Sequence, residues 1–308
     1  MLSFSRLSVS TLNSLTTDSR ALSRVHAAVE EAGISRDHPV HAIHSNIWHV
    51  TTDEHDFAIK LFDGANSGQR LKMEFAVCTH LAKTGAPVPT AIVKSAASNA
   101  LVRSWIPGQT LHERLLKETP LSPHDASTVH SAWTAIIHAL KLWQVHIPQS
   151  RLRTAHELRR REFEMVATAI TDAYPSIPPC YVDKLVADSM ACGLSTLPLD
   201  ASPSNIVLGP NGATFIDMEI IGFDFPCWTF AKYVTTTTRS EGAVLAPSLI
   251  TALPDETSGL QHFDAALTVL LLLASSGAWN NPTMTREEIL ANLPSRSGAN
   301  DHIRAILT

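Results

Sequence analysis

Residues 57–61 read Phe57-Ala58-Ile59-Lys60-Leu61, and they decide how the first third of the chain is read. In a strand, side chains alternate faces with period two. Phe57, Ile59 and Leu61 then share one face, and Ala58 and Lys60 share the other. Two readings stand for that lysine. On an edge strand it points to water; on a covered face it needs an anion above it. The helix that comes next bears on the choice. Leu71, Phe75, Cys78 and Ala82 make its apolar stripe, and Glu74 falls on the same stripe, three residues after Leu71 and four before Cys78. A carboxylate facing a core is costly without a cation. Lys60, fourteen residues earlier, is the nearest basic residue with a reason to face inward. Glu74 either pairs with Lys60, which presents the ammonium to phosphate oxygens, or lies at the stripe's edge and reaches water.

The pattern around this pair is strand-like from Val40 to Trp105. Ile47-Trp48-His49-Val50-Thr51-Thr52 and residues 56–62 flank the polar tetrad Asp53-Glu54-His55-Asp56, which predicts a hairpin. A helix is expected over 69–83, ending at Gly85, and a second hairpin turns around Ala96 to Asn99. Upstream, residues 18–32 read as a helix closed by Gly33. Beyond Pro107-Gly108 the pattern becomes helical. Ser122-Pro123 is an N-cap and N1 pair. Val129, Trp133, Ile136, Ile137, Leu140 and Trp143 then share a helical face, and a polar helix covers about 155–172. Strands first and helices afterwards predict an α+β chain of two unequal lobes.

A second polar group stands downstream. Gly209-Pro210-Asn211-Gly212 is a turn between two apolar runs. Pairing Leu208 with Ala213 and counting outward puts Asn205 opposite Ile216, beside Asp217, at the open end of the hairpin. Asp200 lies in the loop feeding Asn205. An amide oxygen and a carboxylate at one point suit Mg²⁺. A further carboxylate nearby can accept or orient a hydroxyl proton in phosphoryl transfer. Taken singly the residues carry little, since Asp-x-x-x-x-Asn turns up by chance about once in a chain this long. Asp200 then reads as a loop cap and Asn205 as a turn residue.

Composition narrows the class. The 308 residues are 44% hydrophobic and 17% charged, with a formal net charge of −5, which is ordinary globular composition without the basic surplus of a nucleic-acid or anionic-membrane binder. Cysteines 78, 180, 192 and 227 fit neither a zinc site nor a small disulfide scaffold and read as free thiols of a cytoplasmic protein. Ala265 to Ala274 is too short an apolar run to span a bilayer and reads as a buried helix. The first fifteen residues read as a frayed arm or surface helix. His38, His41 and His44 do not keep one face of a strand, so no metal site is expected there. Arg151, Arg153, Arg159, Arg160 and Arg161, interleaved with Glu157, Glu162 and Glu164, read as a solvated helix face.

Taken in order, these segments resemble the aminoglycoside phosphotransferase and choline kinase-like family, which shares the protein kinase fold. Ser45-Asn46-Ile47-Trp48 resembles its first hairpin, Ala58-Ile59-Lys60 its strand lysine motif and Glu74 its helix glutamate. Gly85-Ala86-Pro87-Val88-Pro89 and Trp105-Ile106-Pro107-Gly108 resemble its linker and hinge. Asp200-x-x-x-x-Asn205 resembles its catalytic loop and Ile216-Asp217-Met218-Glu219 its metal-binding strand. The resemblance implies a two-lobed kinase-like fold with a small antiparallel-sheet N-lobe and a large, mainly helical C-lobe. The lobes would cover 36–104 and 105–308, after an N-terminal arm and helix over 1–35. It implies transfer of the γ-phosphoryl group of ATP, with GTP an open alternative, to a hydroxyl of a small molecule in the presence of Mg²⁺. Neither nucleic acid nor membrane is an expected partner.

By the same resemblance, Lys60 holds the α/β-phosphates and Glu74 holds Lys60. Asp200 is the catalytic base or orienting carboxylate, and Asn205 and Asp217 ligate Mg²⁺. Backbone groups around Ser104 and Ile106 hold adenine with Ala58 packed above it, and the Ser45 to Ile47 amides, Asn46 among them, cover the phosphates. Four places depart from the family pattern. Pro198-Leu199 replaces His-Gly, Met218 a common Trp and Thr229 a frequent Asp, and no glycine occurs between Val40 and His49. The rival they motivate is a pseudokinase, a nucleotide- or partner-binding module without turnover.

Overall fold

The computed structural model describes residues 19–117, 122–144, 149–191, 193–200, 202–229, 231–232 and 260–276. The first fifteen residues and Cys192 lie outside them. The chain divides into two compact units: one runs to Pro107 and adds Met218–Ile220, and the other comprises Gly108–Asp217 and Ile221–Thr308.

The first unit is built on five antiparallel strands, β1 (Val40–Ala42), β2 (Ile47–Thr51), β3 (Asp56–Leu61), β4 (Ala91–Ser95) and β5 (Ala100–Ser104), in the order β1-β2-β3-β5-β4. β3 is therefore central, with Lys60 opposite Ile47 on one side and Leu101 on the other. The edge-strand reading of Lys60 is excluded by this position. Strand alternation gives the sheet two apolar faces, each covered by a helix. Helix α1 (Ser19–Glu31) buries Ala21, Val25, Ala28 and Val29 against Trp48, Val50, Ile59, Leu61 and Val102. Helix α2 (Ser67–Lys83) brings Leu71 against Leu101 and Phe62 on the other face, the one that carries Lys60. Gly33 and Gly85 come after these helices at φ +74° and +76°, the left-handed conformation in which a helix commonly ends.

The stripe of α2 is rotated from the expected one. Leu71, Glu74, Val77, Cys78 and Leu81 are buried, while Phe75 and Ala82 are only half-buried. The i, i+3, i+7, i+10 set runs through Glu74, so the carboxylate lies at the centre of the buried face rather than at its margin.

The second unit begins with β6 (Gln109–Thr110) and α3 (Leu111–Lys117), whose start is a reciprocal cap. The Thr110 amide donates to Glu113 Oε2 at 2.9 Å, and the Glu113 amide donates to Thr110 Oγ1 at 3.1 Å. Helix α4 (Pro123–Gln144) starts where Ser122-Pro123 predicts, with Ser122 Oγ accepting the Asp125 amide at 3.1 Å. It buries Val129, Trp133, Ile136 and Leu140, and Trp133 meets Phe215 at 5.7 Å between ring centroids. Helices α5 (Gln149–Ala173) and α6 (Pro179–Met190) come next. The apolar run from Ala265 lies within α7 (Leu260–Ser275), and Ala265 to Leu273 are buried. Among the described residues no helix is long and apolar enough to cross a membrane.

Four short strands position the downstream polar group. β7 (Ser195–Pro198) pairs with β10 (Ile221–Asp224). β8 (Ile206–Gly209) pairs with β9 (Gly212–Phe215) in the expected register, Leu208 opposite Ala213.

Candidate active site

In the first unit, Lys60 and Glu74 form an ion pair sealed from water. Nζ donates to Glu74 Oε2 at 2.8 Å, and the residues are 2% and 0% exposed. Central placement of β3 turns Lys60 toward α2, and the register of α2 turns Glu74 toward Lys60. Ala58, on the same face of β3, is buried opposite His49 and Arg103.

Sequence reasoning missed the wider network. Arg103, 4% exposed, donates from its terminal nitrogen NH1 to Glu74 Oε1 at 2.9 Å. Glu219 approaches Lys60 Nζ at 2.9 Å through Oε2, and Arg70 donates from NH2 to both Glu219 oxygens at 2.9 and 3.1 Å. The available signal was Arg103 itself, a charged residue ending the apolar run Ala100-Leu101-Val102 on Lys60's face of the sheet. On that face, too, His49 stacks on Trp105 at 4.1 Å and lies 3.0 Å from Asp56 Oδ2 through Nε2.

The backbone groups assigned to a nucleotide are partly committed. The Ile47 amide turns back onto the His44 carbonyl at 3.4 Å, and the Asn46 carbonyl accepts the Leu61 amide at 2.8 Å. Among the described residues, the Ser45 and Asn46 amides donate no such backbone hydrogen bond. At the hinge, the Ser104 and Trp105 amides donate to Thr90 and Asp56 carbonyls, both at 3.0 Å. A residue's N–H and C=O point to the same side of a strand. The Ser104 carbonyl therefore lies beyond the last β4 pair, Ala91 opposite Arg103. Ile106 is two residues further, half-buried.

In the second unit, Asp200 and Asp217 stand just past the ends of β7 and β9, and Asn205 is the last residue of a 3-10 turn (Pro203–Asn205). The Asn205 carbonyl accepts the Ile216 amide at 2.8 Å, which continues the hairpin register by one pair and brings Asn205 beside Asp217, as counted from the turn. Asn205 Nδ2 donates to the Asp200 carbonyl at 3.0 Å. That bond ties the loop to the hairpin and directs the amide oxygen elsewhere. The donor set of an amide oxygen and a carboxylate is the hard-oxygen chemistry that Mg²⁺ takes, so the residues fit that ion. Asp200 itself is exposed.

The departure at Pro198-Leu199 has a local counterpart. Leu199 lies over Gly222, where a Cβ would come within 2.5 Å of Leu199 Cδ1. Leucine fits before Asp200 because the paired strand carries no side chain there.

One reading of the arginine stretch needs correction. Arg159 is not simply solvated: its NH2 lies 2.5 Å from Asp224 Oδ1, and Asp224 is 1% exposed. Lys232 approaches Asp224 Oδ2 at 3.6 Å. Burial is the largest single influence on the Arg159 pKa and pulls it down, but the Asp224 and Glu162 carboxylates together outweigh it and the net shift is upward. For Lys232 burial wins, and its pKa falls despite Asp224.

A family model described as a phosphotransferase enzyme family matches residues 38–260, more than half of the chain. No curated protein sequence matches it. Among solved structures, the ADP-bound aminoglycoside phosphotransferase APH(2'')-Ib is similar at 10% identity, covering 94% of this chain and 97% of that one, with TM-score 0.51. The gentamicin complex of APH(2'')-IIa is similar at 11% identity, with coverages of 92% and 98% and TM-score 0.50. The choline kinase LicA from Streptococcus pneumoniae aligns at 11% identity over 92% and 95% of the chains, with TM-score 0.46. At such identities the first two are likenesses of fold. The fold is α+β and kinase-like.

Proposed function

The chain belongs to the phosphotransferase enzyme family, and from that membership we propose that it transfers the γ-phosphoryl group of ATP to a hydroxyl of a small molecule in an Mg²⁺-dependent reaction. The observation that carries this reading is the buried Lys60–Glu74 pair at 2.8 Å. Holding both charges out of water is costly, and a function for the ammonium accounts for keeping it.

The roles come from residue chemistry. Lys60 binds phosphate oxygens, and Glu74 fixes its direction. The amides of Ser45 and Asn46 cover the phosphates. Ala58, the Ser104 carbonyl and the Ile106 amide receive the base. In the second unit, Asn205 and Asp217 are the metal ligands, and Asp200 accepts or orients the proton of the acceptor hydroxyl. Bound there, Mg²⁺ supplies charge neutralisation to the transferring phosphoryl group. The acceptor class is that of amino sugars, choline or homoserine. The cytoplasm is the proposed compartment, in keeping with Cys78, Cys180 and Cys227 as free thiols.

Asp200→Asn tests the assignment. Loss of the carboxylate is expected to lower turnover about 10²- to 10⁴-fold, the usual worth of a positioned general base. The rise in melting temperature on adding Mg-ATP should persist. Unchanged turnover removes Asp200 from the mechanism. Stabilisation of the wild type by Mg-ATP, without phosphorylation of any acceptor in a broad panel, favours the binding-module rival.

A further inference from the structure

Lys60 stands between two carboxylates, and each of them has an arginine of its own. Oε2 of Glu74 takes Lys60 at 2.8 Å while Oε1 takes Arg103 at 2.9 Å. Oε2 of Glu219 lies 2.9 Å from Lys60, and Arg70 holds both oxygens of Glu219. The Phe62 ring lies 5.2 Å from Lys60 Nζ and 5.8 Å from Arg70 Cζ. All six residues belong to the first unit.

A buried carboxylate with one cation makes a brittle pair, because departure of the cation strands the charge that stays behind. A lysine that serves phosphate oxygens must turn at least partly from its carboxylates. Arginine suits the role of fixed backing. Its guanidinium stays charged and its planar fork is preorganised, whereas a lysine ammonium pivots on a flexible stem. The placements also suit it. Arg103 is opposite Ala58 on the strand beside Lys60, and Arg70 is one helical turn before Glu74.

We infer that Arg103 and Arg70 are positioning residues that hold Glu74 and Glu219 in place, so that Lys60 can turn to a nucleotide's phosphate without stranding either carboxylate. What Lys60 turns to rests on the phosphotransferase reading; the anchoring of Glu74 does not.

The experiment has two arms. In the first, urea unfolding is measured for Lys60→Met, Arg103→Gln, the double variant and the double variant with Glu74→Gln. Each single variant leaves Glu74 one of these two cations. The double variant leaves it none among these two, so its loss of stability exceeds the sum of the singles, and Glu74→Gln restores most of the excess. Additive losses overturn the anchoring.

In the second arm, Mg-ATP affinity is measured by calorimetry. Arg103→Gln weakens it about tenfold, the size of one lost coupling, while the protein stays folded. Arg103→Lys, which keeps the charge, recovers affinity to within about threefold. Arg70→Gln has the same direction and a smaller effect, because Arg70 is partly exposed. Equal affinity of wild type and Arg103→Gln overturns the positioning role and leaves the phosphotransferase reading standing. A wild type that does not bind Mg-ATP overturns that reading, and with it the turning of Lys60.

Discussion

Glu74 in the first unit and Asp224 in the second are both buried carboxylates between two basic side chains, but they are built differently. Each oxygen of Glu74 has its own hydrogen-bonded cation, and the Lys60 and Arg103 side chains are only 3% and 5% exposed. Asp224 Oδ1 takes Arg159 at 2.5 Å and the Phe225 amide at 2.8 Å. Its Oδ2 accepts no hydrogen bond among the described residues, with Lys232 at 3.6 Å. The Arg159 and Lys232 side chains are 20% and 34% exposed. The first arrangement is closed, so every charge depends on the others. The second braces α5 against β10 and opens to water through its cations. A closed charge cluster in a sheet's core is expensive to keep without a task; an open one serves as a strut.

The difference can be broken most directly at Glu74. Glu74→Leu leaves Lys60 and Arg103 buried beside an apolar group, and an unfolding free energy lower by about 3–5 kcal/mol is expected from urea denaturation. A loss near 1 kcal/mol would erase the contrast. Asp224→Asn should cost less, about 1–3 kcal/mol, because Arg159 and Lys232 can turn to water. A loss equal to that of Glu74→Leu would make the two clusters equivalent.

The smallest effect is expected at Lys232, whose folded pKa lies below the ordinary 10.5 because burial disfavours its charge. Between the lowered value and 10.5 the unfolded chain binds more protons, so this group makes stability rise with pH across that window. Lys232→Met should flatten that slope and change stability at pH 7 by less than about 1 kcal/mol. Urea midpoints of both proteins at several alkaline pH values check it; an unchanged slope would mean that the lysine is solvated like any surface residue.

The same contrast explains what the sequence disclosed. Lys60 and Glu74 were legible because a strand of period two and a helix of period 3.6 each put a charge on an apolar face, and two such anomalies fourteen residues apart compensate each other. The β8–β9 hairpin was legible because Gly209-Pro210-Asn211-Gly212 pins the turn, which sets Asn205 and Asp217 by counting. Arg103 carried the same kind of anomaly, a charge closing the apolar run Ala100-Leu101-Val102. Arg159, by contrast, was hidden. Flanked by Arg160, Arg161 and Glu162 on a polar helix, it has no apolar face to stand out from, and its partner Asp224 is 65 residues away. Nothing in the spacing of Glu219 links it to Lys60. The commitment of the Ile47 amide to His44 comes from a tight turn through Ser45-Asn46.

Phosphorus NMR on the purified protein with ATP, Mg²⁺ and a panel of amino sugars, choline and homoserine tests whether the charges around Lys60 serve phosphoryl transfer to a small-molecule hydroxyl. The predicted result is a new phosphomonoester resonance growing in step with loss of the γ-phosphate signal. A γ-phosphate signal that persists with every acceptor, or that passes only to inorganic phosphate, would contradict it.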